Sequence, residues 1–348
     1  MYKIIRDPIY SEVRVNPIEL IIIETPLFQR LRNISQLVGT SLVFPSSTHS
    51  RFSHSLGVLH IASLYASHLF SGNIFKQVVI RLAALLHDIA HGPFSHQFDD
   101  TVYKYLKLRF GHDSFRKDVI LKFLPIFIKE NLSKKENLFA KVRDFIANIN
   151  FPADFYSSSF GDSSNNLVDG VFNKINFILN EVIKVYDSKG SVENNIIQGP
   201  FGADRLDFIR RDAYFSGAMG FSTGSLDRII FNTKLIDGKL AYHVKTFDEI
   251  FSVLFGRFMM YKNVYFHKTS RSIDLLIQEV LKYSIDIFKT IGIDYRKILK
   301  DHSLFVNLTD DFVINVIYDL YQLKKRRFSK LEYAFNLVNN LKSRRIFK

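Results

Sequence analysis

The amino-acid sequence predicts an all-α protein with one or two small β-hairpins. Apolar residues recur with helical spacing over most of the 348 residues, as in helices that bury one face. Strand-like alternation is confined to residues 3–17 and 234–244, and the second stretch contains the hairpin-forming pair Asp237-Gly238. Hydrophobic residues make up 47% of the chain and aromatic residues 14%, which is enough for a substantial core.

Three helices are predicted in the first hundred residues. The first covers residues 25–37, because a Thr-Pro pair supplies an N-cap and a proline at the first helical position, and a glycine follows at position 39. The second runs over residues 54–70. The third contains the almost wholly apolar run 78–86 and is therefore predicted to be buried.

Helices are also predicted over most of the remaining chain. Residues 115–149 are mostly amphipathic, whereas residues 150–170 and 188–200 are rich in turn formers and are predicted to be loops. A Thr-Phe-Asp-Glu capping box at residues 246–249 begins a long helix, and a further loop is expected at residues 291–301. No boundary between domains is evident. We expect one domain over residues 1–348, with a catalytic core at about 25–275 and a helical C-terminal extension at about 276–348.

The composition excludes some classes of site and favours polyanionic partners. The absence of cysteine excludes disulfides, thiolate metal sites and cysteine nucleophiles. No apolar run has membrane length and no leader is recognisable, so we expect a soluble, cytoplasmic protein without a membrane partner. The net charge of +13 favours nucleotides or nucleic acid. Basic residues are concentrated near the C-terminus, at Lys324, Lys325, Arg326, Arg327, Lys330, Lys342, Arg344, Arg345 and Lys348.

The adjacent pair His87-Asp88 lies at the end of the buried helical run, in the stretch RLAALLHDIAHGPFSH at residues 81–96. A buried carboxylate needs a cation or strong donors, and divalent metal ions accept both imidazole nitrogen and carboxylate oxygen. The alternative is a core histidine beside an aspartate that caps the helix. His91 and His96 follow within ten positions, and this density favours a metal site.

Two other stretches place polar residues on helices that bury one side. His54 opens a predicted helix directly after Arg51, so both side chains can face one pocket. The charge density between Asp204 and Asp212 is typical of a solvated face, and the alternative is that part of it faces that pocket. The other histidines of the N-terminal part are interpreted as ordinary loop or helix-surface residues: His49, His60 and His68.

Together these motifs resemble the HD-domain metal-dependent phosphohydrolases, and within them the dNTP triphosphohydrolase branch. The shared stretches are Asp-Pro-Ile at residues 7–9, TPLFQRLRNISQL at 25–37, HSRFSHSLGV at 49–58, LLHDIAHGPFSHQFD at 85–99, DRLDFIRRD at 204–212 and YFHK at 265–268. The chain departs from the family pattern at Tyr10-Ser11, where His-Gly is usual, and at Phe208, where tyrosine is common. The resemblance implies the helical HD-domain fold.

The resemblance also assigns roles to residues. It implies that one divalent ion (Mn, Fe, Mg, Zn or Ni) is bound by His54, His87, Asp88 and Asp204. It assigns His96, Asp99 and His112 to catalysis, the two histidines for acid–base work and the carboxylate to orient them. Residues of the substrate site are Gln36, Leu37, Arg51, Arg205, Phe208, Asp212, Arg257, Tyr265, His267 and Lys268. A regulatory nucleotide pocket between subunits corresponds to Lys3, Glu24, Gln29 and Arg32, so a homo-oligomer (dimer or tetramer) is expected.

The expected activity is hydrolysis of deoxynucleoside triphosphates to deoxynucleoside and triphosphate, with nucleotide regulation as an option. A second hypothesis keeps the metal site but assigns another nucleotide or a nucleic-acid end as substrate. The third is a catalytically idle protein that binds nucleic acid through its basic C-terminal segment, with affinity that depends strongly on salt.

Overall fold

The computed structural model describes residues 2–160, 166–222, 224–323 and 329–345, and its only sheets in that part of the chain are two antiparallel hairpins. Strand β1 (Lys3–Asp7) pairs with β2 (Ser11–Val15), and β3 (Thr233–Ile236) pairs with β4 (Lys239–Tyr242). In the second hairpin both turn residues have positive φ, 49° at Asp237 and 69° at Gly238, which two-residue hairpin turns require. The all-α prediction with one or two hairpins is confirmed.

Helices make up the rest of the architecture. In chain order they are α1 (Pro17–Ile23), α2 (Pro26–Gln29), α3 (Arg51–Leu69), α4 (Ile74–Leu86), α5 (His96–Phe98), α6 (His112–Asp118), α7 (Leu124–Lys134), α8 (Glu136–Ala147), α9 (Ala153–Tyr156), α10 (Leu167–Asp187), α11 (Val192–Gln198), α12 (Ala203–Phe215), α13 (Leu226–Phe231), α14 (Phe247–Met260), α15 (Lys268–Thr290), α16 (Tyr295–Ile298), α17 (His302–Phe305), α18 (Asp310–Gln322) and α19 (Ser329–Lys342). Short 3-10 turns lie at Arg30–Asn33, Val38–Leu42, Met219–Phe221 and Val244–Thr246, and π turns at Asp99–Tyr103, Val119–Phe123 and Tyr261–Tyr265.

Helices α3, α4 and α12 form the centre of the molecule. Helix α3 packs against both α4 and α12, and α4 packs against α10 on its other side. The apolar run of α4 is buried as predicted, and the helix ends at Leu86, so His87 directly follows the core. Arg51 is the first residue of α3, and Asp204 lies in the first turn of α12. One end of each central helix therefore contributes polar residues to the same region.

The first predicted helix is shorter than expected. It begins at the Thr-Pro pair, where the Thr25 side chain accepts a hydrogen bond from the amide of Phe28. It does not continue to residue 37, because the chain is extended at Ile34, whose carbonyl accepts from the amide of Arg51. The amide of Gln36 likewise donates to the carbonyl of His49. Pairing with a distant segment thus replaces the last helical turns.

Other predictions also differ from the structure, and the loops predicted at 150–170 and 291–301 contain the short helices α9 and α16. Thr246 does not cap α14, because its hydroxyl donates to the carbonyl of His243, and the helix gives way to a π turn after Met260. The predicted loop at 188–200 contains α11, which the Ser191 side chain caps. The suggested division at about 275/276 falls inside α15; the division into core and extension stays a prediction.

One continuous hydrophobic core extends from the first hairpin to α19. Within the described ranges, no helix combines the length and the apolar character needed to cross a bilayer. Of the basic residues near the C-terminus, Lys324, Lys325, Arg326, Arg327 and Lys348 lie outside the described residues.

The contact between α3 and α12 depends on a glycine. A Cβ atom at Gly57 would overlap the carboxylate of Asp207 and the guanidinium of Arg211, both of which are fully buried on α12. The guanidinium and the carboxylate are hydrogen-bonded to each other, with Nε–Oδ2 and Nη2–Oδ1 distances of 2.9 and 3.0 Å. Gly57 therefore provides the space in which a buried ion pair packs against α3.

We expect Gly57→Ala to lower the free energy of unfolding by about 1–3 kcal/mol, the usual cost of overpacking a buried contact. The measurement is urea unfolding followed by circular dichroism. Gly72→Ala is the control, since a Cβ there meets no atom within 4 Å, and it should change stability by less than about 0.5 kcal/mol. Equal effects of the two substitutions would contradict this account of the helix contact.

Candidate functional site

The four predicted metal ligands converge at the ends of the central helices. His54 lies on α3, His87 and Asp88 follow α4, and Asp204 lies on α12. The Nε2 atoms of the two histidines are 3.2 Å apart, and Asp204 Oδ1 is 3.2 Å from Nε2 of His54 and 3.7 Å from that of His87. Asp88 Oδ1 lies 3.3 Å from Nε2 of His87. The convergence predicted from sequence is thus present in the fold.

In each of the two histidines, the hydrogen bond at Nδ1 decides which ring nitrogen carries the proton. His87 Nδ1 lies 2.8 Å from the carbonyl oxygen of Ala84, and because a carbonyl only accepts, Nδ1 carries the proton. His54 Nδ1 lies 2.8 Å from Oδ2 of Asp207, an ionised carboxylate, and donates in the same way. In the neutral rings the Nε2 lone pairs therefore point at each other and at the carboxylates, which is the arrangement of metal-binding imidazoles.

Negative charge dominates this cluster. Burial alone would lower the pKa of His54, but hydrogen bonds with Asp204 and Asp207 and the charge of Asp88 outweigh it and raise that pKa to about 10. Without another cation beside these carboxylates, His54 itself therefore carries a positive charge at neutral pH. Two imidazole nitrogens with two carboxylates are ordinary ligands for a divalent transition metal, so the residues fit the metal that the resemblance implies.

Arg51 has a structural partner at this site. Its Nη1 donates to Oδ2 of Asp88 at 2.6 Å and its Nε donates to Oγ of Ser95 at 2.9 Å. Burial alone would raise the pKa of Asp88, but His87, Arg51 and His91 hold it well below the usual value. Arg51 therefore stabilises the ionised ligand, and its contact with substrate stays a prediction.

The predicted acid–base residues form a second cluster beside the first. Oδ2 of Asp99 lies 3.0 Å from Nδ1 of His96 and 2.9 Å from Nδ1 of His112. The ring of His91 stacks on that of His112 with a centroid separation of 3.6 Å. The Nε2 atom of His91 lies 3.3 Å from Oδ1 of Asp88. Burial alone would raise the pKa of Asp99, but the hydrogen bonds with His112 and His96 lower it. The two clusters are therefore adjacent and share Asp88 as their boundary.

A third layer supports the ligand His54, and most of it was not predicted. Asp207 accepts hydrogen bonds from the hydroxyl of Tyr10 at 2.8 Å and from Arg211, whose Nη1 also donates to Asp7 at 2.9 Å. The spacing of Asp204 and Asp207, one turn apart on a helix, is the sequence signal that could have indicated this pair. Tyr10, which departs from the family pattern, thus has a defined contact.

His49 corrects the sequence interpretation. It is not an ordinary loop histidine, because it is buried and its Nε2 lies 2.7 Å from Oδ1 of Asp212. Oδ2 of Asp212 accepts a hydrogen bond of 2.7 Å from the hydroxyl of Tyr265. The rings of Phe208 and Tyr265 meet edge to face, with a centroid separation of 6.4 Å. Three of the predicted substrate residues, Asp212, Tyr265 and Phe208, therefore lie together.

The other predicted substrate residues are less closely joined. The guanidinium carbon of Arg257 lies 5.5 Å from the ring centroid of Tyr261. The side chain of His267 accepts a hydrogen bond from the amide of Thr269 and thereby caps α15. Oε1 of Gln36 is buried without a hydrogen-bond partner. Two further residues are half-buried, Leu37 and Arg205, and Lys268 is exposed. Their contacts with a substrate stay predictions.

The residues predicted for a regulatory nucleotide form two pairs. Nζ of Lys3 lies 3.9 Å from Oε1 of Glu24, and the latter side chain also accepts from Lys135 at 2.7 Å. Nε of Arg32 donates to Oε1 of Gln29 at 2.7 Å. Their role in nucleotide binding stays a prediction.

Comparison with known proteins gives two family matches and several relatives. A sequence model of the HD domain matches residues 51–143, and one of the HD associated region matches residues 225–348. The deoxynucleoside triphosphate triphosphohydrolase SAMHD1 homolog of Dictyostelium discoideum is 27% identical over 353 residues, 99% of this chain and 59% of that protein. An uncharacterized protein of Methanocaldococcus jannaschii is 31% identical over 294 residues, 82% of this chain and 51% of that protein. The chain thus spans between half and three-fifths of the length of these relatives.

Solved structures show the same fold. A hypothetical protein from Aquifex aeolicus superimposes with a TM-score of 0.63 at 28% identity, covering 100% of this chain and 77% of that one. A phosphohydrolase from Bacteroides thetaiotaomicron superimposes with a TM-score of 0.72 at 23% identity, covering 100% and 78%. The residues matched by the HD-domain sequence model include His54, His87 and Asp88 of the candidate site described above. The chain therefore contains an HD domain at residues 51–143, together with an HD associated region at residues 225–348.

Proposed function

We propose that the protein is a metal-dependent phosphohydrolase that cleaves deoxynucleoside triphosphates into deoxynucleoside and triphosphate. The observation that carries the proposal is the convergence of His54, His87 and Asp204, with Asp88 beside both imidazoles, next to the histidines that Asp99 binds. Relatives named as deoxynucleoside triphosphate triphosphohydrolases, from Dictyostelium discoideum and Bos taurus, support this substrate class.

When bound by these four residues, a divalent ion would polarise a phosphoryl oxygen and acidify a water molecule. The protein residues beside it handle the proton. Asp99 contacts Nδ1 of both His96 and His112 and thereby orients the two rings. Proton exchange with the substrate would then take place at their Nε2 atoms. One of them gives a proton to the leaving 5′ oxygen, so that the nucleoside departs as an alcohol.

Substrate recognition would depend on the cations and on the group around Asp212. Arg205, Arg257 and Lys268 can offset the charge of a triphosphate. The carboxylate of Asp212, which contacts His49 and Tyr265, would accept a hydrogen bond from a sugar hydroxyl. The ring of Tyr265 would crowd a 2′ substituent, which favours deoxyribose over ribose.

The proposal of a nucleic-acid-binding protein has less support. Three described basic residues of the C-terminal segment contact the protein itself: Lys330 pairs with Asp286, Lys342 lies over the ring of Tyr318, and Arg344 donates to the carbonyl of Leu42. The metal-ligand geometry favours an enzyme, and the positive net charge then serves a polyanionic nucleotide.

We also propose that the chain forms a homo-oligomer, a dimer or tetramer, through α14. Four phenylalanines at helical spacing are exposed along this helix: Phe247, Phe251, Phe255 and Phe258. The first three form a row of stacked rings with centroid separations of 6.4 and 6.3 Å. Exposed aromatic patches of this kind are typical of protein interfaces.

We expect the purified protein to release inorganic triphosphate and deoxynucleoside in equal amounts from dNTPs. The assay incubates each dNTP and rNTP with Mg²⁺, Mn²⁺, Fe²⁺, Zn²⁺ or Ni²⁺, separates the products by chromatography, and is repeated after removal of metal with a chelator. Pyrophosphate or monophosphate as the first product would contradict the proposal and favour another phosphohydrolase activity. rNTPs should react more slowly, because of the contact expected at Tyr265.

The matched variants for this assay are Asp204→Asn and Asp248→Asn. We expect Asp204→Asn to lower turnover by about a hundredfold or more. Mutating a residue that only supports a metal ligand already lowers activity by about tenfold to a hundredfold, and loss of a ligand should cost at least as much. The exposed Asp248 lies in the first turn of α14, so its variant should keep wild-type turnover. Full activity of Asp204→Asn with metal present would refute the site assignment.

Asp207→Asn tests the metal site without reference to substrate. It weakens the acceptor that orients His54, and we expect the affinity for Mn²⁺ or Zn²⁺ to fall by about tenfold to a hundredfold. The measurement is titration calorimetry on metal-free protein, with Asp227→Asn, an exposed carboxylate of α13, as control. Unchanged affinity in Asp207→Asn would mean that His54 is not a ligand.

Phe251→Glu combined with Phe255→Glu should reduce the oligomer to the 40.5 kDa monomer, because two carboxylates cannot be buried unpaired in an interface. Mass measured by light scattering after size-exclusion chromatography gives the result. Ile74→Glu, at an exposed first position of α4, is the control and should leave the mass unchanged. A monomeric wild-type protein would contradict the proposal.

A further inference from the structure

The loop between the metal ligands and His96 is tied to a distant part of the chain. Asp310, the first residue of α18, accepts hydrogen bonds from the amide of Phe94 at 2.6 Å and from the amide of Ser35 at 2.9 Å. Its carboxylate does not cap its own helix, because the Thr309 side chain does so. Asp310 therefore connects two loops of the N-terminal half that lie more than 200 positions away.

The turn that Asp310 holds is strained. Phe94 and Ser95 have φ values of 58° and 53°, in the region that side chains other than glycine rarely adopt, and ψ of Ser95 is −123°. Each such residue costs about 1–3 kcal/mol and persists only where its surroundings hold it. The Ser95 hydroxyl donates to the carbonyl of Ser35 at 2.6 Å and accepts from Arg51, the partner of Asp88. The turn thus belongs to the support of the first cluster as well.

Arg30 provides a second tie to the same loop. Its guanidinium is buried and donates to the carbonyls of Ile89 and His91 at 3.0 and 2.7 Å. A third hydrogen bond of 2.9 Å reaches the carbonyl of Leu308, two residues before Asp310. Both ends of the loop from 89 to 95 are therefore fastened to the segment that precedes and begins α18.

We propose that Asp310 is a positioning residue for His96, one of the two proposed proton-transfer histidines, and for His91, whose ring stacks on the other, His112. Its carboxylate binds the amides of Phe94 and Ser35 and thereby fixes the turn at residues 94 and 95. His91 precedes this turn and His96 follows it. Its effect on catalysis rests on the proposed function, whereas its effect on the placement of the histidines does not.

A carboxylate at this position is costly, which argues for a specific use. Burial raises the pKa of Asp310 to about 7, against the opposing influence of the two amide donors and of Arg30, and the neighbouring charge of Asp311 adds to the increase. The ionised carboxylate accepts on both oxygens, one for each loop. An asparagine has a single acceptor oxygen and would direct its NH₂ group at one of the two amides.

The test compares Asp310→Asn with Asp311→Asn. Both replace an aspartate of the first turn of α18 by asparagine, but Asp311 is exposed, so its variant controls for the effect of the substitution on the helix. NMR spectra of ¹³C-histidine-labelled protein, assigned by single substitutions, report the imidazoles directly. We expect the signals of His91 and His96 to shift in Asp310→Asn and to remain in place in Asp311→Asn, with His243 unchanged in both.

Kinetics of triphosphate release give the second readout. Asp310→Asn should lower kcat by about tenfold to a hundredfold, as expected for small displacements of catalytic groups, and change KM by less than about twofold. Asp311→Asn should keep both constants. If the wild type releases no triphosphate while the Asp310→Asn signals shift, the proposed function fails and the positioning role stands.

Identical histidine spectra for the two variants would overturn the proposal. If circular dichroism shows that Asp310→Asn does not fold, Asp310→Ser replaces it, since its single hydroxyl oxygen cannot replace the two carboxylate oxygens that hold the amides of Phe94 and Ser35. Wild-type spectra and wild-type kcat in the folded Asp310→Ser protein would likewise overturn it.

Discussion

The structure depends on the balance of charge around His54. Asp88, Asp204 and Asp207 are brought together in the interior, where unpaired carboxylates are strongly unfavourable. Arg211 offsets Asp207 and Arg51 offsets Asp88, each through a hydrogen-bonded ion pair. The packing of α3 against α4 and α12 brings these charges together, and the candidate metal site lies among them.

The second cluster extends the first without repeating its chemistry. His91 is fully buried, stacks on His112 and lies next to Asp88, so the two clusters share one continuous polar region within an otherwise apolar core. Asp99 fixes the protonated side of two rings, whereas His96 extends toward solvent with 66% of its side chain exposed. The proposed ligands are thus buried beside a partly exposed histidine, and the proposed hydrolysis needs such an arrangement because substrate and water must enter from one side.

Local patterns predicted the secondary structure well where local interactions decide it. The apolar run of α4 and the Asp-Gly turn of the second hairpin appear as expected. The helix predicted to reach residue 37 fails because the backbone at Ile34 and Gln36 pairs with residues near His49 instead. Helical periodicity cannot report such pairing, since the competing partner lies some fifteen positions further along the chain.

The sequence by itself determined the helical class and pointed to His87-Asp88 of the candidate metal site, because recurring apolar positions and a His-Asp pair after a buried helix are local features. Only the tertiary structure decided that His49 binds Asp212, that Asp207 orients His54, and that Asp310 holds the turn before His96. Those contacts join residues more than 150 positions apart, and each depends on how helices pack, so no spacing along the chain indicates them.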